Sequence, residues 1–244
     1  MPHDNNTLGL ILAAGRGRRM GTESQLPKCL NKVKGKILID IQIAAMRAVN
    51  LSSIVVLTGY KRHLVAPFGD LEIFNDEWEK TNMVYSLLKA GPVVHQSGCI
   101  VSYGDIFYEE NALDPLLDCT NDISILYSDT WTELWKMRSD DPLEDAETFQ
   151  LNSDQTVKLI GTKPYSLEEI EGQYMGVLRF TRSGWNAFEA FAKTLPLATL
   201  LDISMTSILN LMISQGVSQI GAVKYSGIWG EVDTESDLRL YNLS

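Results

Sequence analysis

The sequence has little of several things, and each shortage narrows what the chain can be. Only three cysteines occur in 244 residues, Cys29, Cys99 and Cys119, widely spaced and with no CxxC pair. That excludes a disulfide framework and a cysteine-rich zinc site, and suits reduced thiols in a cytosol. Only three histidines occur, His3, His63 and His95, with no nucleophile constellation around them. No apolar run approaches the roughly 20 residues of a membrane span, and the opening MPHDNN has no basic region ahead of an apolar one. A soluble, unexported, cytoplasmic chain with no membrane partner is expected. Positive charge is scarce, with 21 Lys and Arg against 31 Asp and Glu, a net charge of −10. Such a balance makes nucleic acid a poor partner, because binding a duplex draws on a broad basic face that releases counterions. Repeats, low-complexity tracts and Gly/Ser or Pro-rich linkers are absent as well. One domain over residues 1–244 is expected, with disorder confined to the first few residues.

What is present is a regular alternation. Apolar, β-rich runs recur at 8–14, 53–58, 71–74, 98–103, 122–127, 173–180 and 219–225. Helical patterns fall between them at 38–49, 82–90, 109–118, 182–193 and 202–215, the last opening on Asp202 as N-cap and closing at Gly216 as the residue past its end. Strand alternating with helix predicts an α/β fold, a mostly parallel, doubly wound, Rossmann-like sheet with helices on both faces and room for a small insertion. In such sheets ligands collect beyond the carboxyl ends of the strands.

The first such end reads LILAAGRGRRMG, residues 10–21. Gly15 and Gly17 allow a turn that brings main-chain N–H groups close to an anion, and Arg16 and Arg18 offer fork-shaped donors for phosphate oxygens. Between Arg16 and Lys36 stand seven cations (Arg16, Arg18, Arg19, Lys28, Lys32, Lys34, Lys36) against Glu23 alone, a local balance of +6 in an acidic chain. Strand, glycine loop and arginines make a phosphate cradle. Neither of the two commonest cradles fits: GxxxxGK[ST] is absent, and GxGxxG would need glycine where Met20 stands.

LAAGRGRRMG followed by LPKCL at 26–30 resembles the signature of the nucleotidyltransferase superfamily, which activates small phosphorylated compounds with a nucleoside triphosphate. That resemblance implies that Leu12, Ala13, Ala14 and Gly15 touch the nucleotide. It further implies that Arg16, Gly17, Arg18 and Lys28 hold the phosphates, with Lys28 facing the α-phosphate. The motif alone leaves Lys28 open to the plainer reading of a surface lysine after Pro27.

Carboxylates for a metal stand at plausible places. Asp105 follows Gly104 at the end of the run CIVSY, at the same sheet edge as the cradle. Glu231 and Asp233 lie two apart in WGEVDTESDL, so in extended backbone both point to one side. Mg²⁺ takes hard oxygen ligands of this kind together with substrate phosphates and water. Asp233 is equally placed to cap a helix over LRLYN. Asp105 and Asp233 resemble the superfamily's metal positions, and the resemblance to its phosphocholine branch makes Glu231 a third ligand.

NDEWEKTNMVYSL at 75–87, the segment 126–149, GTKP at 161–164 and EGQYMGVLRF at 171–180 are similar to cytidylyltransferases of the phosphocholine and especially the phosphoglutamine kind, over nearly the whole chain. The implied reaction is transfer of CMP from CTP to a small phosphorylated acceptor with Mg²⁺, by direct in-line attack, releasing pyrophosphate and a CDP-linked precursor for surface-polysaccharide decoration. A phosphate monoester is already dianionic above its second pKa of about 6, so no general base is required. The catalytic set is then Arg16, Lys28, Asp105 and Asp233. Asn82 and Ser86 are implied at the base or ribose and Gly104 beside the nucleotide; Asn82 also reads as a plain N-cap. On the acceptor side, Lys163 is implied at the phosphate, with Trp135, Arg138, Glu147 and Tyr174 around the remainder. The mixture of charges between Trp131 and Glu147 leans toward a zwitterionic acceptor. A sugar-1-phosphate uridylyl- or thymidylyltransferase and a non-catalytic nucleotide-binding relative remain alternatives, and self-association is left open.

Overall fold

The computed structural model describes residues 6–20, 26–138 and 141–243, without the Arg18 side chain. The N-terminal residues expected to be disordered, Gly21 and Glu23 of the basic stretch, and the Arg18 phosphate contact therefore lie outside the described residues. The strands are β1 (Leu8–Ala13), β2 (Lys32–Val33), β3 (Lys36–Ile37), β4 (Ile54–Thr58), β5 (Leu71–Phe74), β6 (Cys99–Tyr103), β7 (Ile106–Tyr108), β8 (Ile123–Ser128), β9 (Phe149–Leu151), β10 (Val157–Ile160), β11 (Gln173–Phe180), β12 (Ile220–Lys224) and β13 (Trp229–Glu231). The helices are α1 (Leu38–Ala48), α2 (Arg62–Val65), α3 (Met83–Leu88), α4 (Gly91–Val94), α5 (Asp114–Asp118), α6 (Trp131–Arg138), α7 (Arg182–Ala192), α8 (Leu197–Asp202), α9 (Met205–Ser214) and α10 (Glu235–Leu243).

All seven apolar runs become strands of one sheet, in the order β12-β8-β11-β6-β1-β4-β5. Six are mutually parallel, and β11 runs antiparallel between β8 and β6. The centre is dry on both faces: every residue of β4 is buried, as is all of β1 except the half-buried Leu12. Removing each such Leu, Ile or Val from water contributes about 1.5–3 kcal/mol, so the continuous apolar run is what buries a parallel strand between two helix layers. The antiparallel β11 carries a register break between Tyr174 and Leu178, with Gly176 at φ 78°. A Cβ at Gly176 would lie 3.0 Å from the Tyr103 ring, so the bulge lets the Tyr103 and Tyr174 rings meet edge to face at 5.7 Å.

Two helix expectations change. The segment 109–118 splits into a 3₁₀ turn, Glu110–Leu113, and α5, because Pro115 cannot continue the preceding helical ladder. The segment 202–215 also divides: Asp202 ends α8, Ile203 is extended, and the cap of α9 is Ser204, whose Oγ accepts from Ser207 N at 3.1 Å. Gly216 does follow the end of α9, in the left-handed region at φ 66°.

Two small antiparallel pairs matter for the site. β7 pairs with β13, setting Glu231 opposite Ile106, and Val232 N donates to Asp105 O at 2.8 Å. β9 pairs with β10, forming the insertion after α6.

At the carboxyl end of β4, Gly59 packs where no side chain fits. A Cβ there would stand 2.5 Å from the Ala14 carbonyl oxygen and 2.6 Å from Trp78 Cβ. Gly59→Ala is expected to lower unfolding free energy by about 1–3 kcal/mol, the cost of overpacking, read from the urea midpoint; an unchanged midpoint would show that this approach is not constrained.

Candidate active site

The chain leaves β1 at Ala13 and β6 at Tyr103 at the same edge of the sheet, and Gly104 N donates to Leu12 O at 3.0 Å. That bond ties the glycine loop to the turn bearing Asp105. A Cβ at Gly104 would sit 2.7 Å from the same Leu12 oxygen, so glycine is what permits the approach. Gly17 turns at φ 72°, and a Cβ on it would lie 2.4 Å from Lys28 Cγ. The Lys28 stem therefore runs across the bare face of Gly17, toward the carboxylates.

Lys28 Nζ ends 3.1 Å from Asp105 Oδ2 and 2.5 Å from Asp233 Oδ1. Asp105, Glu231 and Asp233 each present an oxygen within 4.8 Å of the others. The β7–β13 register explains the convergence, since it sets residues 105 and 231–233 side by side although more than a hundred positions separate them in the chain. The alternative of Asp233 as helix cap is not what forms. Thr234 Oγ1 accepts from Asp237 N at 3.2 Å while Asp237 Oδ2 accepts from Thr234 N at 2.8 Å, a reciprocal capping box that leaves the Asp233 carboxylate to the site.

Behind the carboxylates stands Arg138. Its Nε donates to Asp237 Oδ1 at 2.9 Å, its Nη2 lies 3.5 Å from Asp233 Oδ2 and its Nη1 3.7 Å from Glu231 Oε2. Arg19 reaches Asp233 Oδ1 at 2.9 Å and Asp145 at 3.9 Å. Burial works to raise the Asp233 carboxyl, but the Lys28 charge and hydrogen bond, with Arg19, hold it below its ordinary value. Glu231 goes the other way: burial first, then the Asp233 and Asp105 charges, push it well up. Three crowded carboxylates resist ionising together unless a cation stands among them, and hard oxygen donors so grouped match the ligand chemistry of a divalent ion. Beneath the Asp105 turn, Gln42 Nε2 donates to Ile106 O at 2.7 Å, Ser102 Oγ donates to Gln42 Oε1 at 3.1 Å, and Tyr108 OH donates to Ser102 Oγ at 3.2 Å. This buried network fixes the turn from below.

Lys28 lines one cavity, and a second adjoins it through shared wall residues. The first, about 320 Å³, is lined by Leu12, Ala13, Ala14, Gly15, Gly17, Lys28, Asn82, Ser86, Gly104 and Asp105, all anticipated from the sequence, together with Arg19 and Trp78. The second, about 220 Å³, holds Trp135, Glu147, Tyr174, Glu231 and Asp233 as anticipated, and adds Arg19, Tyr103, Asp145, Gln173 and Thr206. Arg19, Met83 and Tyr103 line both. The Cys29 thiol on the first cavity is pushed up to about 12 by burial and then by the Asp105 charge, which keeps it a neutral S–H.

Several anticipated residues sit differently. Arg16 is exposed and does not line the first cavity; its guanidinium lies over the Tyr60 ring at 5.5 Å. Asn82 and Ser86 reach the cavity wall with their polar atoms already engaged. Asn82 Oδ1 accepts from Tyr85 N at 3.1 Å as the α3 cap, and its amide donates to Ile203 O. Ser86 Oγ accepts from Asn75 and donates to Asn82 O. Lys163 lines neither cavity, because its ammonium is held by the Leu143 and Glu144 carbonyl oxygens at 2.5 and 2.7 Å. Arg138 is not on the second cavity's wall either; the carboxylates take its donors from behind. Arg19 is the principal residue that sequence reading passed over, counted among the cations but given no role. Its signal was present, one residue beyond the RGR of the motif.

A glycine-cradled cavity, a lysine among three carboxylates and a Rossmann-like sheet together define a protein that handles phosphorylated nucleotides. The model of the MobA-like NTP transferase domain matches residues 9–155. The CTP:phosphoglutamine cytidylyltransferase of Campylobacter jejuni is 32% identical over 248 aligned positions, covering 95% of this chain and 97% of that one. The bifunctional protein GlmU of Francisella philomiragia is 32% identical over 99 residues, 40% of this chain and 22% of that protein. Among solved structures, the inositol-1-phosphate CTP transferase of T. maritima superposes with a TM-score of 0.74 at 20% identity over 97% of this chain and 95% of that one. The CTP:phosphocholine cytidylyltransferase of Streptococcus pneumoniae gives 0.71 at 17% identity over 98% and 99%. The chain belongs to the MobA-like NTP transferase family and is a nucleotidyltransferase. Among the described residues no helix is long and apolar enough to cross a membrane.

Glu147 provides a test that does not require substrate. Burial raises its carboxyl, with Asp145 adding to the effect and the Thr206 hydroxyl, donating at 3.1 Å, opposing it. A carboxyl raised in the folded chain binds its proton more tightly there than in the unfolded chain, so stability is lost as pH rises above the unfolded value of about 4.3. Glu147→Gln keeps the acceptor for Thr206 and removes the charge. The thermal midpoint of the variant should exceed that of the parent by a margin that grows from pH 4.5 to pH 8; a margin constant with pH would contradict the burial assigned to Glu147.

Proposed function

We propose that the protein transfers CMP from CTP to a small phosphorylated acceptor of the phosphoglutamine type, releasing pyrophosphate and yielding a CDP-linked product. The observation that carries this reading is the position of Lys28, whose ammonium meets Asp105 and Asp233 where a cavity bounded by the glycine loop adjoins a second one bounded by acids. The near full-length relative named for that reaction supports it.

In this reading the triphosphate lies along Leu12–Gly17, and the main-chain N–H groups of the loop, Lys28 and Arg19 neutralise it. The acceptor occupies the second cavity, its phosphate toward Arg19 and Lys28. At neutral pH the acceptor phosphate is a dianion and attacks the α-phosphorus unaided, so the residues bring two polyanions together and stabilise charge rather than move protons. Asp105, Glu231 and Asp233 would hold Mg²⁺, which supplies Lewis-acid stabilisation of the phosphate oxygens when bound. Arg138 keeps the last two carboxylates aimed into the site.

The non-phosphate end of the acceptor meets Glu147, Asp145 and Gln173 beside the Tyr103 and Tyr174 rings. Paired carboxylates and an amide suit a primary ammonium with hydrogen atoms to donate, as in an amino-acid head group. A quaternary ammonium is held mainly by aromatic faces and gains less from that wall. The product would feed decoration of a surface polysaccharide.

Pyrophosphate release with CTP, UTP, dTTP and ATP against phosphoglutamine and phosphocholine tests the reading. CTP with phosphoglutamine should give the highest kcat/KM, and no release with any pair would overturn it. Lys28→Ala and Asp105→Asn should each lower kcat by about 10²-fold or more, the typical cost of one preorganised electrostatic contact. Wild-type turnover in either would remove these residues from the mechanism.

A further inference from the structure

The Lys28 ammonium does not stand beside the carboxylate cluster. It stands inside it. Asp105 Oδ2 and Asp233 Oδ1, two oxygens of the three-carboxylate group, are the atoms to which Nζ is bonded. Arg19 takes the same Asp233 oxygen at 2.9 Å, and Arg138 covers Glu231 and Asp233 from the protein side. Each of the three carboxylates thus faces at least one positive side chain.

We propose that Lys28 and Arg19 form an electrostatic latch on the metal site, holding Asp105 and Asp233 in the nucleotide-free protein and releasing them to a divalent cation when a triphosphate draws both cations away. The proposal rests on the triphosphate reading of the first cavity and adds to it an order of events: metal follows, or enters with, the nucleotide.

The geometry allows the exchange. Lys28 and Arg19 both line the first cavity as well as touching the carboxylates, so a triphosphate there competes for them directly. A lysine on a four-carbon stem shifts its ammonium by rotamer changes alone, and glycine at position 17 leaves the stem unobstructed where a Cβ would collide with Lys28 Cγ at 2.4 Å. The Arg19 side chain is more than half exposed, so solvent lies beside it when it leaves Asp233. Arg138, by contrast, is nearly fully buried and bonded to Asp237 at 2.9 Å, so it remains when the other two leave. With the latch closed, Lys28, Arg19 and Arg138 stand against the four carboxyl groups of Asp105, Glu231, Asp233 and Asp237; withdrawing the first two leaves Arg138 alone against them, a setting that favours an incoming cation.

Linkage makes the latch measurable without turnover. If nucleotide and metal compete with the same contacts in opposite senses, each must raise the affinity for the other by the same factor. Mn²⁺ binding, followed by the electron paramagnetic resonance signal of the free aquo ion, should be weak for the nucleotide-free wild type. Lys28→Met should bind Mn²⁺ at least tenfold more tightly without nucleotide, and Arg19→Met, an exposed change that keeps the fold intact, should show a smaller gain. Adding Asp105→Asn to Lys28→Met should abolish the gain, which assigns it to this cluster. For the wild type, a non-hydrolysable α,β-methylene analogue of CTP should tighten Mn²⁺ binding at least tenfold beyond what the analogue binds alone. Nucleotide-free affinity that is unchanged or weaker in both single variants, while the analogue still binds, overturns the latch and leaves the nucleotide reading standing. No binding of the analogue to the wild type overturns that reading, and the latch falls with it.

Discussion

The rest of the site depends on a lysine ammonium placed between two carboxylates that the chain brings in from far away. Lys28 is 77 residues from Asp105 and 205 from Asp233. Pairs of this kind are poor sources of stability, because taking the charges out of water offsets most of their attraction. Their value here is chemical. Breaking one side leaves a buried charge without a partner, so every supporting feature works to keep the three groups together: bare glycine under the Lys28 stem, the buried Gln42, Ser102 and Tyr108 network under the Asp105 turn, and the β7–β13 ladder that fixes the distance to Glu231 and Asp233. The capping box at Thr234 and Asp237 belongs with these. By satisfying the first turn of α10 with its own side chains, it frees Asp233 from the cap role for which its sequence position equally fits it.

How much of this could be read from the sequence follows from how each element is stabilised. The central strands are legible because a strand buried on both faces must be apolar throughout, and an unbroken run such as SIVVLT leaves little alternative; the edge strand β5 is partly exposed and is legible only from its short β-rich run. The glycine loop and Lys28 are legible because phosphate binding restricts which residues tolerate the turn and supply the charge. β7 and β13 are not legible as a pair: three residues each, their pairing exists only because the surrounding sheet presents the two segments to one another. Capping is similarly blurred. Asp202 and Ser204 are both good cap residues, and the choice between them was made by Pro196, which starts a separate short helix and leaves Ile203 extended.

The same reasoning explains why some implied contacts moved. Asn82 and Ser86 stand at the wall of the nucleotide cavity, as their place in the sequence suggested, but a polar side chain can be at a site and still be fully engaged in building it. Asn82 caps α3 and bonds Ile203, and Ser86 bonds Asn75 and Asn82, so both side chains build the wall they stand on. Lys163 illustrates the reverse. Its charge reads as a phosphate ligand, yet its ammonium closes on the Leu143 and Glu144 carbonyls and so steadies the loop from which Asp145 and Glu147 reach the second cavity. The residue implied as a contact is bonded to the segment that carries the cavity wall.

Charge is divided between the two cavities in a way that neither net charge nor composition discloses. The first gathers Lys28, Arg19 and the glycine loop with Asp105 as its one acid, within a protein of net charge −10, while Asp145, Glu147, Glu231 and Asp233 stand around Arg19 in the second. In the proposed reading the triphosphate takes the first, where the cations are concentrated. In the proposed reading, an acceptor with a phosphate at one end and an ammonium at the other lies with its phosphate toward Arg19 and its ammonium toward Glu147. Arg19, the side chain bonded to Asp233 and near Asp145, sits on the boundary. If that reading holds, the acids of the second wall orient the acceptor by charge before any specific hydrogen bond forms, and Arg19 and Lys28 draw its phosphate toward the first cavity.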